Sequence, residues 1–164
     1  MDVADLLADG FDRIKQTVHS AVDGLTEDQL THRIDGRSNS IAWLVWHLSR
    51  VQDDHVAGVA GTEQVWPDWY DRFNLPFEIS EHGYGHTFEQ VAAVRAPAEL
   101  LLGYHDAVHE ATQRFVRTVT AGDLDTVVDE NWDPPVTLGV RLVSVVNDDL
   151  QHAGQASFVR GLLP

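Results

Sequence analysis

Val143 to Arg160, VSVVNDDLQHAGQASFVR, is the stretch that decides the fold. It reads as a helix of about five turns, yet Asn147, Asp148, Asp149, Gln151, His152 and Gln155 stand among its valines. Asp148 and His152 are four residues apart, so their side chains lie on one helical face, one turn above the other. That spacing lets a rigid helix offer two ligands to one divalent ion. Alone, an Asp-x-x-x-His pair is a weak signal, and it gains weight only if another element supplies a third ligand.

That element is an earlier helix. Ser38 or Asn39 is placed to cap a helix from Ser40 to about Val59, with Ile41, Leu44, Leu48, Val51 and Val59 on its apolar face. Trp43, His47 and Asp54 follow one another along the edge of that face. His47, Asp148 and His152 together make three ligands if the two helices meet. Three protein ligands leave coordination positions open, the layout of a catalytic metal site. Ser144, Asn147, Gln151 and Gln155 carry groups able to orient those ligands, and Asp54 is placed for the same work from the second helix. The same residues also fit a plainer account, an interfacial histidine beside an ordinary ion pair.

Two further long helices complete the pattern. Leu6, Leu7, Phe11, Ile14, Val18 and Val22 recur at three and four residues from Val3 to Val22. Ala98 to about Val119 carries the stripe Leu101, Tyr104, Val108, Ala111, Phe115, and the last long helix runs from about Thr137 to Leu162. On that stripe His105 and His109 fall at the flank, which predicts solvated side chains. Thr26 to Gln29 and Thr87 to Gln90 are capping boxes opening short turns. Residues 62 to 85 hold an aromatic cluster (Trp66, Trp69, Tyr70, Phe73) and most of a Gly-rich segment, EHGYGHT, in which His82 and His86 flank Gly83-Tyr84-Gly85. A connection of this length is commonly functional, often a lid. The expected fold is all-α, one four-helix-bundle domain over residues 1–164, with long connections between the second and third and the third and fourth long helices.

Composition narrows the chemistry. The formal charge is −15, from 26 acidic and 11 basic side chains. Nucleic acids and anionic membranes both ask for the opposite sign, so neither is an expected partner. No apolar run approaches the roughly 20 residues of a membrane span, and the acidic N-terminus lacks the layout of a signal peptide. The expectation is a cytoplasmic protein. With no cysteine in the chain, thiol chemistry requires a thiol brought in as a small molecule, and imidazole and carboxylate are the metal ligands at hand.

SNSIAWLVWHLSRVQDDH, followed much later by VNDDLQHAGQASFVRGLL, resembles the DinB/YfiT-like superfamily of metal-binding four-helix bundles. The nearest branch holds mycothiol-dependent enzymes, the maleylpyruvate isomerases and mycothiol S-transferases of actinobacteria. The resemblance covers nearly the whole chain. It implies that His47 is the first metal ligand and His152 the last. Position 148 is commonly histidine in the superfamily and glutamate in mycothiol-dependent members, so Asp148 keeps the carboxylate at shorter reach. Gln151 and Ala153 depart from the histidine and arginine frequent there.

The resemblance implies a divalent metal (zinc first, with nickel, iron or manganese as alternatives) and mycothiol or a similar thiol as cosubstrate. The reaction would be attack of the thiolate on an electrophile, in a cavity walled by Trp43, Trp66, Trp69 and Tyr104, with His105 as proton donor. A homodimer fits bundles of this kind. Two other functions are compatible with the same residues: a non-catalytic, stress-associated metal-binding bundle, and a metal-dependent hydrolase.

Overall fold

The computed structural model describes residues 1–163. Four long helices form its core: α1 (Val3–Val22), α3 (Ile41–Ala60), α6 (Ala98–Val116) and α7 (Leu138–Gly161). Three short ones, α2 (Glu27–Thr31), α4 (Pro67–Phe73) and α5 (Phe88–Ala93), punctuate the connections. A 3-10 turn, Ala121–Asp125, and a small antiparallel pair, β1 (Val127–Asp129) with β2 (Val136–Thr137), lead into α7. No described helix is long and apolar enough to cross a membrane.

Local chemistry sets the helix ends. Asp2 and Asp5 form a reciprocal capping box at the start of α1, and Thr26 with Gln29 and Thr87 with Gln90 do the same for α2 and α5. The cap of α3 is Ser40, whose hydroxyl accepts from the Trp43 amide. Ser38 instead joins a turn with Asp35, which corrects the expected Ser38 or Asn39 cap. Gly61 closes α3 in the left-handed conformation at φ 66°.

α3 packs along both α6 and α7, α1 packs along the same two, and α1 and α3 scarcely touch. The four therefore stand with α1 across from α3 and α6 across from α7. Pairings fix the directions. Ser49 meets His105 and Gln52 meets Thr112, so α3 and α6 run parallel. His47 faces His152 while His55 meets Arg141, so α3 and α7 run antiparallel.

The core fills from all four: Phe11, Ile14 and Val18 of α1, Leu44 and Leu48 of α3, Leu101 and Val108 of α6, Leu142 and Val145 of α7. The first half of α3 differs from the expected half-exposed helix. Every residue from Ile41 to Arg50 is buried, because the connection from 61 to 97 folds back over its outer face.

That connection is held by a buried polar network. Asp53 accepts hydrogen bonds from the amides of Val65 (2.9 Å) and Trp66 (2.8 Å) and from the Tyr104 hydroxyl (2.9 Å). Arg50, 1% exposed, donates to Gln64 (2.8 Å) and to the Glu81 carbonyl (3.2 Å), and lies over the Trp66 ring. A buried guanidinium is tolerable only with such partners. The outcome is a segment pinned across the site by its own backbone.

Candidate metal centre

The α3–α7 seam brings His47, Asp148 and His152 together, with one ligand atom from each all within 4.8 Å of one another. Helix geometry does most of this. Asp148 and His152 share a face of α7, and the Nε2 of His152 lies 3.7 Å from the Asp148 carboxylate. His47 arrives from α3, its ring centre 4.9 Å from that of His152.

Both imidazoles are oriented by an oxygen at Nδ1. His47 Nδ1 faces the His82 carbonyl at 2.5 Å, and His152 Nδ1 faces Gln155 Oε1 at 3.1 Å. An Nδ1–H donated to each oxygen leaves the Nε2 lone pairs free, the arrangement metal-bound histidines use. Burial pushes the His47 pKa down to about 4, with the His82 carbonyl opposing, so the ring is neutral at pH 7 and able to ligate.

The third ligand is equally suited. Asp148 Oδ2 is buried and has no hydrogen-bond partner, an anomaly for a carboxylate that a cation would remove. Two imidazoles and a carboxylate are a donor set that a divalent transition metal accepts, so the residues present fit the ion.

Trp43 forms one wall. Its indole stacks on His47, ring centres 4.6 Å apart and planes at 15°, and meets His152 edge-on at 6.2 Å. The indole N–H donates to His86 Nδ1, whose other nitrogen lies 3.0 Å from Glu81. Segment 78–86 thus packs over the site. Its tightest point is Gly83, at φ +98°. A Cβ there would come within 2.8 Å of His47 Nδ1 and 3.0 Å of the Trp46 ring. The His82 carbonyl and Gly83 are contacts of His47 that the sequence reading missed, since a main-chain acceptor leaves no side-chain signature.

Other expectations are redistributed. Gln155 Oε1 faces His152, whereas Ser144 donates to the Arg141 carbonyl and Gln151 to that of Asn147. Asp54 opens onto the small cavity beside the triad, together with His55, His82 and Tyr84. Tyr104 is not at a cavity mouth. It is fully buried, packed on Trp66, Trp69 and Phe73, and its hydroxyl serves Asp53.

His105 and His109 are corrected most. Both are buried, at 0% and 6% exposed, because α1 closes over that flank of α6. His105 meets the Ser49 hydroxyl at 3.1 Å, and His109 pairs with Asp12 at 3.0 Å. Burial pushes the His105 pKa down to about 3. His105 belongs to the α1–α3–α6 interior and is not brought to the triad. Asp149, beside a ligand, turns into the core with neither oxygen partnered, and burial raises its pKa well above the usual carboxylate range.

A mainly helical chain whose facing helices bring two imidazoles and a carboxylate within reach of one another defines a class: helical proteins with a candidate metal centre between helices. The comparisons with known proteins make this narrower. A family model described as mycothiol-S-transferase matches residues 6–164, and the chain belongs to that family. A crystal structure titled as a conserved protein of locus from Enterococcus faecalis superposes with a TM-score of 0.91 at 30% identity, covering 99% of this chain and 98% of that one. No curated protein matches.

Proposed function

We propose that this protein is a metal-dependent thiol transferase that takes mycothiol, or a small thiol like it, as cosubstrate. The observation that carries the reading is the convergence of two oriented Nε2 lone pairs and an unpartnered buried carboxylate oxygen on one point. His47, Asp148 and His152 would hold the ion, with zinc the first choice for such ligands. A divalent cation bound there supplies the charge that deprotonates a coordinated thiol at neutral pH, where a free thiol (pKa near 8.5) is mostly protonated.

The chain's own residues supply the rest. Lacking cysteine, it contributes no competing thiol. His82 and Gln155 fix the ligand rings, Trp43 walls the site, and segment 78–86 keeps bulk water from its covered side. His105, enclosed in a separate interior, has no part in this reading. The helices are read as a DinB-like four-helix bundle forming one domain, and the acidic surface disfavours nucleic acid.

The test is calorimetric titration of zinc-loaded protein with mycothiol, followed by turnover with a panel of electrophiles such as chlorodinitrobenzene and monobromobimane, each of which loses a halide to the thiolate. Binding that disappears in Asp148→Ala, with thiol consumption dependent on the protein, is the expected result. A zinc-loaded protein that binds no thiol would overturn the proposal.

A further inference from the structure

α3 carries a second cavity on the side turned away from the triad. Val56 lies nine residues beyond His47, about two and a half turns, so the two side chains leave opposite sides of the helix. Where His47 faces α7, Val56 and Ala57 face α6. With Val108, Ala111 and Phe115 of α6 they wall a cavity of about 340 Å³. An apolar cavity of about 150 Å³ admits benzene, so this one has room for a two-ring molecule and falls among ordinary ligand sites in size. None of the three metal-ligand candidates borders it.

The polar groups around the cavity select its occupant. Thr112 stands in the inner wall and is 1% exposed. Its hydroxyl accepts from Gln52 Nε2 at 2.7 Å and donates to no acceptor among the described residues. Gln52 Oε1, on the same amide, is buried and unpartnered too. A buried donor left without a partner is costly, and an acceptor oxygen entering the cavity would engage it. Asp53 also borders the cavity, but its carboxylate already takes the Val65 and Trp66 amides and the Tyr104 hydroxyl. Glu63 and Arg114, both exposed, stand at the rim with opposite signs. With no free charge inside and none in excess at the rim, an ionic ligand would lose its hydration without compensation.

We infer that the α3–α6 cavity is a second ligand site, separate from the metal centre, for an uncharged two-ring molecule that carries one hydrogen-bond acceptor against Thr112. The site stands apart from the thiol-transferase reading, since α3 itself divides it from the triad.

The probes are 1-tetralone, which carries a carbonyl, and tetralin, its hydrocarbon counterpart. Each is titrated into full-length protein, metal-free and zinc-loaded, and followed by NMR of the backbone amides. Saturable binding of 1-tetralone with Kd of about 0.1–1 mM is expected for a ligand of this size, with shifts centred on residues 53–65 and 108–118. Metal-free, zinc-loaded and His152→Ala proteins should agree within about twofold, because the two sites share no partners. Ala111→Leu fills the cavity from a partly exposed helix position and should weaken both probes at least about tenfold. Thr112→Val should weaken 1-tetralone about three- to tenfold and leave tetralin within about twofold. Melting curves check both variants, and Ala111→Leu decides the site by itself if the loss of the Gln52–Thr112 bond impairs folding. Absence of saturable binding, or binding that survives Ala111→Leu, overturns the site. Loss of binding in His152→Ala would put the probe at the metal centre and overturn it equally. Equal losses for 1-tetralone and tetralin in Thr112→Val would overturn the acceptor preference.

Discussion

Gly83→Ala concentrates the logic of the covering segment in one methyl group. Gly83 sits at φ +98°, where an L-residue costs about 1–2 kcal/mol in backbone strain. The new Cβ would meet His47 Nδ1 at 2.8 Å, Trp46 at 3.0 Å and Trp43 at 3.3 Å. These are packed rings rather than flexible chain ends, so overpacking adds about 1–3 kcal/mol. The total of about 2–5 kcal/mol exceeds what one hydrogen bond returns, and the segment should lift. Lifting withdraws the His82 carbonyl from His47, and losing a partner of this kind costs about 10–100-fold in metal affinity. Competition against a chromophoric chelator measures that affinity, with a thermal melt beside it. Unchanged affinity and an unchanged melting temperature together would refute the view that segment 78–86 positions the ligand.

Three other expectations follow from the same contacts. Gln155→Ala removes the oxygen facing His152 Nδ1 and should weaken metal binding by about tenfold. Because Gln155 is exposed, stability by urea denaturation should stay within about 0.5 kcal/mol. Asp53→Ala strips the partner of buried Arg50 and three hydrogen bonds, and a loss of about 3–5 kcal/mol is expected in the same assay. For pH, burial holds His105 to a pKa of about 3 in the folded chain, against the ordinary imidazole value near 6.5. The unfolded chain therefore takes up a proton that the folded one refuses, and stability falls as pH drops below 6.5. By pH 5 that loss is about 2 kcal/mol relative to pH 7. His105→Phe should show a drop between pH 7 and pH 5 smaller by that amount, whatever its stability at pH 7. An equal drop would mean that His105 titrates normally.

Much of the architecture was legible in the amino-acid sequence because it depends on local rules. The run Phe11, Ile14, Val18, Val22 announces α1 by period alone, and Thr26–Gln29 and Thr87–Gln90 announce their caps. Helix α4 was not legible. It spans seven residues, begins at Pro67 without a side-chain cap, and is too short to show a period. The Ser38-Asn39-Ser40 run offers three capping side chains, and only the amide that each can reach decides between them.

At the site, Asp148 and His152 were readable as candidates from their spacing on one helix, and His47 from its place at the edge of an apolar helix face, with the resemblance adding weight to all three. Gln155 stood out as a nearby amide, but nothing in the sequence says that it, rather than Gln151, turns toward a ligand. His105 and His109 were misplaced for a physical reason. Polar side chains are assigned outward by default, yet Ser49 and Asp12, from other helices, satisfy them inside.

Elemental analysis of purified protein, alongside His152→Ala and Asp148→Ala, tests the central claim most directly. The account predicts one divalent metal ion per wild-type chain and a stoichiometry near zero in both folded variants. Full metal content in either variant, or none in the wild type after loading with zinc, nickel, iron or manganese, would contradict it.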